Sequence, residues 1–281
     1  MIKIVSDSST LYSIEEGKKK NIEITPLSVT INNKTYKEYE DIRTKEFIDI
    51  INEGYVPVSS QPSIGDVVEV YNKYPEEEII NISMADGLSG TYSSACAART
   101  MVEHANKIEV INSRTLCGPH RYMVEVAVQL AEAGKSKEDI VKTINCLAET
   151  SKSFLIPNDF EYLVRGGRLS PLVGKIGGII KLVPVMTLSE DCTRLIKFTT
   201  KRTLSKAIEK ICETLVEAGV DSSYKIYISH GCKEELANTV ENIIIKNIKD
   251  ADVEQHLLGP VFTTQGGPGC VAVQVIKKYE F

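Results

Sequence analysis

"EIINISMADGLSGTYSSACAAR", residues 78–99, decides how this chain folds. It opens on "EIINIS", an apolar run of the length of a buried strand. It closes on small residues that suit a helix, and "MADGLSG" between them is a turn-forming loop. Strand, short loop and helix in that order are half of a βαβ unit, which builds a parallel sheet. The spacing predicts a helix from about Gly90 to Ala105.

The same alternation extends to both sides. "IKIV" (2–5) reads as a strand, and Ser13 with Glu16 forms a capping box for a helix over 14–20. "IEITPLSVTINNKTYKEY" reads as a strand and a hairpin turning at Asn32-Asn33. Helices follow over 45–53 and 64–74, separated by the loop "SSQPS". "KIEVINS" is a further strand, "PHRYMVEVAVQLAEAG" a helix, and Ser136 caps another over 137–151. Beyond about residue 152 hairpins mix with crossovers: "SFLIPND" as a strand, "LVPVMTLSEDCTRLIKF" as a hairpin, helices over 203–218 and 233–246, strands "YKIYIS", "VEQHLL" and "VAVQVI". The expected fold is α/β, with an N-terminal parallel lobe (1–152) and a C-terminal mixed-sheet lobe (153–281) packed together.

Composition narrows the function. The chain has 281 residues, 42% hydrophobic and 25% charged, with a net charge of −5. That balance offers no basic field for nucleic acid. Seven cysteines make no C-x-x-C pair, and four histidines lack ligand spacing, so a reduced cytoplasmic protein without a metal is expected. No apolar run is long enough to span a bilayer, and the N-terminus lacks the pattern of a signal peptide. Membrane contact is at most transient.

Ligands of an open parallel sheet bind beyond the carboxyl ends of its strands. Four Ser/Thr/Gly-rich segments are expected there: "SDSST" (6–10), "SSQPS" (59–63), "SMADGLSGT" (83–91) and "NSRTLCG" (112–118). Ser89 has three readings: a helix cap, a hook for an anion at a helix N-terminus, or a nucleophile. The order Gly87-Leu88-Ser89-Gly90 misses the G-x-S-x-G elbow, and no histidine lies in these loops. A serine-dependent hydrolase or acyl transferase, and a phospho-metabolite-binding module, stay open as alternatives.

Seven segments, in order, resemble the DegV family: "SDSS", "SSQPS", "LSGTYSSA", "YLVRGGRLS", "KLVPVMTL", "KRTLSKAI" and the closing "GGPG". The resemblance covers essentially the whole chain. It implies two α/β lobes holding a long-chain fatty acid between them, no cofactor, and no catalysis by the chain itself. It also implies a partner, the catalytic subunit of a fatty acid kinase, to which the acyl group is presented. Carried over by position, Ser89 with Gly90 matches the carboxylate-binding serine at the helix start, and Ser59 with Ser60 matches a hydroxyl motif. Arg168 and Arg202 match basic positions at the pocket mouth that suit phosphate or the partner. Gln265 stands where the family often has histidine; glutamine can donate to a carboxylate but carries no proton or charge. The stretches "IGGII", "LVPVM" and "YLV" are candidates to line the tail.

Overall fold

A computed structural model of the chain describes residues 1–170 and 182–281. "IGGII" and most of the Gly-rich stretch around it lie outside the described residues. The first half forms a four-stranded parallel sheet in the order β2-β1-β6-β7, made of β1 (Ile2–Asp7), β2 (Ile22–Thr25), β6 (Glu78–Ser83) and β7 (Ile108–Asn112). A small antiparallel sheet joins β3 (Ser28–Ile31) to β4 (Lys34–Lys37) and β5 (Val58–Ser60). Asn32 and Asn33 both have positive φ, 50° and 58°, as a tight hairpin turn requires.

The second sheet is mixed and six-stranded: β8 (Lys152–Ile156), β9 (Val183–Leu188), β10 (Leu195–Lys201), β11 (Tyr224–His230), β12 (Asp252–Leu257) and β13 (Val271–Lys277). Its order is β10-β9-β8-β13-β11-β12, with only β11 and β12 parallel.

Period-two alternation sorts each sheet into two faces. Val5, Ile79 and Val110 face α3 (Ile64–Asn72) and α4 (Thr91–Arg99), where Val67, Tyr71, Ala95 and Ala98 complete an apolar layer. Their neighbours Ile4, Ile80 and Ile111 face α5 (Cys117–Glu132) and α6 (Lys137–Thr150). That same cluster takes in Tyr227 and Ile276 of the second sheet. The helices α5 and α6 are therefore one layer shared by both sheets. The far face of the second sheet carries Val271, Val273 and Val275 against α8 (Leu204–Glu217) and α9 (Glu234–Asn247). The other short α-helices among the described residues are α1 (Ile14–Lys19), α2 (Thr44–Asn52), α7 (Phe160–Arg165) and α10 (Pro260–Gly266).

Three expectations change. The helix after "MADGLSG" stops at Arg99, because Thr100 bonds back to Ala97 through both its amide and its hydroxyl and Met101 bonds to Ala98. Val58–Ser60 is not loop at the end of a parallel strand but the edge of the antiparallel sheet. Between "VEQHLL" and "VAVQVI", where no helix is expected, lies α10, which is buried on nearly all sides and so has no amphipathic period to read.

Gly118 in α5 touches the Tyr227 ring so closely that any Cβ there would overlap it. Gly118→Ala gains roughly 1 kcal/mol of helix propensity. Overpacking against the ring costs about 1–3 kcal/mol, so urea unfolding is expected to show a net loss of up to about 2 kcal/mol. A variant as stable as the parent would contradict the shared layer.

Candidate functional site

At the N-terminal end of α5 the helical layer stops, and a cavity occupies the space beyond it between the sheets. About 910 Å³ of space free of protein atoms lies within the cavity and its mouth, part of it open solvent. Most of its wall is apolar, drawn from both halves: Leu27, Met84, Leu88, Leu155, Leu163 and Phe262 are representative. Of the apolar stretches expected to line a tail, "YLV" contributes Leu163, whereas no residue of "LVPVM" reaches the wall.

Several polar groups of the wall lie close to one another, although Gln265 Oε1 has no hydrogen-bond partner among the described residues. Ser59 accepts a hydrogen bond from Gln265 Nε2 at 2.9 Å, which ties β5 to α10. Gln265 lies against Gly166, so closely that a Cβ there would overlap its amide oxygen. Arg168 donates to the Gly166 carbonyl and, through Nε at 2.9 Å, to the Leu88 carbonyl. Ser89 follows, its Oγ 2.8 Å from Thr91 Oγ1 and accepting from the Thr91 amide at 3.3 Å. Gly90 is the N-cap of α4, and the Gln61 amide lies against it, where a Cβ would stand 2.8 Å from Nε2. Gln61 leads back to Ser60 and Ser59. The loop itself is held by Gly87, at φ 86°, whose close approach to Thr193 in the β9–β10 turn admits no side chain.

The cavity is thus lined by Ser59, Ser60, Ser89, Gln265 and Arg168, with Gly90 just behind Ser89. Burial lowers the pKa of Arg168 from its ordinary value, far too high for the group to lose its charge in a protein. Arg202 is exposed in the link from β10 to α8 and does not line the cavity; it is not grouped with Arg168. Gln61, Ser153 and Gln274 also line the wall and escape the sequence reading. Gln61 sits inside a motif already quoted, so its position was a usable signal; the other two are brought in only by strand register.

"SDSST" contributes no hydroxyl to the cavity, contrary to expectation, because its side chains are spent internally. Asp7 accepts from the Ser9 and Met84 amides at 2.9 and 3.0 Å. Ser6 donates to the Ile82 carbonyl at 2.7 Å, and Ser9 Oγ lies 2.8 Å from His120 Nδ1. His120 Nε2 is 2.9 Å from the same carbonyl, so it is the protonated nitrogen and Nδ1 accepts from Ser9. Burial lowers the His120 pKa and keeps the ring neutral. A histidine therefore does meet one of these loops, but it is fully buried and serves Ser6 and Ser9, not Ser89.

Cys117 and Cys270 line the wall as well. Burial pushes the Cys270 thiol up to about 12 and raises Cys117 well above its ordinary value, so both stay protonated and unreactive. Among the described residues no histidine or carboxylate side chain hydrogen-bonds to Ser89, and no group of three or more potential metal ligands is found. No helix among them is long and apolar enough to cross a membrane.

The family model described as "Uncharacterised protein, DegV family" matches residues 1–278. A DegV domain-containing protein of Staphylococcus aureus (strain N315) is 31% identical over 278 residues, 98% of each chain. The solved structure of DegV, a fatty acid binding protein from Bacillus subtilis, superposes with a TM-score of 0.85 at 28% identity, covering 99% of each chain. A DegV lipid binding protein from Thermotoga maritima does so with a TM-score of 0.85 at 26% identity, covering 100% of this chain and 99% of that one.

Buried Glu38 holds α10 in place: it accepts from Ser8 Oγ at 2.6 Å and from the Val261 amide at 3.1 Å. Burial outweighs those bonds and pushes its carboxyl up to about 8, against 4.5 when exposed. Between those values the folded chain keeps a proton that the unfolded chain releases, so this group's contribution falls as pH rises from 4.5 to 8. Urea midpoints of the parent relative to Glu38→Gln are expected to decline across that interval. A constant difference would show that Glu38 is ionised when folded.

Proposed function

This chain belongs to the DegV family, and we propose that it binds a long-chain fatty acid in the cavity between its two sheets. The observation that carries the reading is an apolar cavity with Ser59, Ser60, Ser89, Gln265 and Arg168 gathered in its wall. In this proposal Ser59, Ser60, Ser89 and Gln265 orient the carboxylate, and the Gly90–Thr91 end of α4 adds the favourable pole of its dipole. Arg168 supplies the charge. An alkyl tail of about sixteen carbons gains roughly 10 kcal/mol from burial, at about 0.8 kcal/mol per methylene, before ordering costs. The head group needs orientation more than strength.

The finer reading is that the chain is not itself an enzyme. It presents the carboxylate to a separate fatty acid kinase subunit, with exposed Arg202 facing that partner. The division into lobes 1–152 and 153–281, and a cytoplasmic location consistent with seven free cysteines, belong to the same reading. A hydrolase at Ser89 has less support, because its hydroxyl meets Thr91 and no base. A phospho-metabolite has less still, because the wall is largely leucine, phenylalanine and methionine.

Organic extraction of the purified chain followed by mass spectrometry is expected to return a long-chain fatty acid. Ser89→Ala is expected to bind octadecanoate about tenfold more weakly, the loss of one hydrogen bond to a charged group. An extract free of acyl chains, with no binding of added fatty acid, would overturn the proposal.

A further inference from the structure

The cavity has a second polar region, away from the serines. Cys270, Ala272 and Gln274 face it from alternate positions of β13 and the residue before it, and Ser153 and Leu155 do so from β8. The register pairs Leu155 with Ala272 and Ser153 with Gln274. At about 3.4 Å per residue, Gln274 lies roughly 13 Å along the strand from Cys270. Cys270 in turn follows the turn that ends α10, where Gln265 sits.

Gln274 is 1% exposed. Its Nε2 donates to the Leu116 carbonyl and to Ser153 Oγ, each at 2.9 Å. The Leu116 carbonyl fixes the orientation of the amide, since the flipped form would set two carbonyl oxygens against each other. Oε1 is then a buried acceptor with no hydrogen-bond partner among the described residues. A plain alkyl chain beside it would leave it so, and native interiors seldom leave such an acceptor unpaired.

Resting on the fatty-acid reading above, we propose that the cavity prefers an acyl chain with a hydroxyl partway along it. That hydroxyl donates to Gln274 Oε1 while the carboxylate occupies the Ser59–Ser89–Gln265 region. The ligand class is a hydroxy fatty acid, and the position of its hydroxyl is set by the span from Gln265 to Gln274.

Titration calorimetry of the delipidated chain tests this with octadecanoate and a series of hydroxyoctadecanoates whose hydroxyl is stepped along the chain. One positional isomer is expected to bind about tenfold tighter than octadecanoate, with the other isomers weaker. Gln274→Met is expected to remove that margin while still binding octadecanoate. If that variant fails to fold, the series on the parent chain decides alone. Octadecanoate bound as tightly as every isomer overturns this inference and leaves the fatty-acid reading standing. Binding of neither class overturns that reading, and the inference with it.

Discussion

The structure depends on α5 lying between two sheets at once. Gly118 lets its first turn approach the Tyr227 ring with no side chain intervening, while Met123, Val124, Ala127 and Leu130 are buried in the cluster that spans both sheets. A helix buried on both sides must be apolar over most of its circumference, and α5 is. Beyond its N-terminal end lies the cavity, lined from both sheets. The carboxyl-end loops of the parallel sheet close one side, and β8, β13 and α10 close the other. The site is a consequence of layer geometry before it is a matter of particular side chains.

Local chemistry was legible in the sequence. The capping box at Ser13, the cap at Ser136 and the asparagine turn are all settled within four residues, and each forms where the spacing predicts. The parallel sheet follows from the alternation of strands and helices. What was not legible depends on distant partners. Whether Ser59 is loop or strand is decided by its pairing with Val29, and the role of His120 by loops more than a hundred residues away. Ser153 and Gln274 look like ordinary polar positions in strands until register sets them side by side. The motif resemblance singles out Ser89, Ser59 and Gln265, which the fold brings to one cavity wall, because family patterns carry long-range information that periodicity lacks.

The hydroxyl-rich loops divide their labour. "SDSST" is consumed in holding β1, β6, α5 and β4 together through Asp7, His120 and Glu38, and is structural despite its composition. Ser59 and Ser60 of "SSQPS" and Ser89 of "MADGLSG" keep their hydroxyls at the cavity wall, while Ser63 caps α3. Among the described residues the two thiols of that wall stay protonated, and the neutral imidazole of His120 lies outside it. The polar groups of that wall are suited to orienting a ligand.

The direction in which a fatty acid lies is the central claim. A crystal structure of the chain with octadecanoate tests it most directly. The carboxylate oxygens are expected within hydrogen-bond distance of Ser59 and Ser89, with the tail running along β13 toward Gln274. A carboxylate seated at Ser153 and Gln274, with the tail toward the serines, would contradict it.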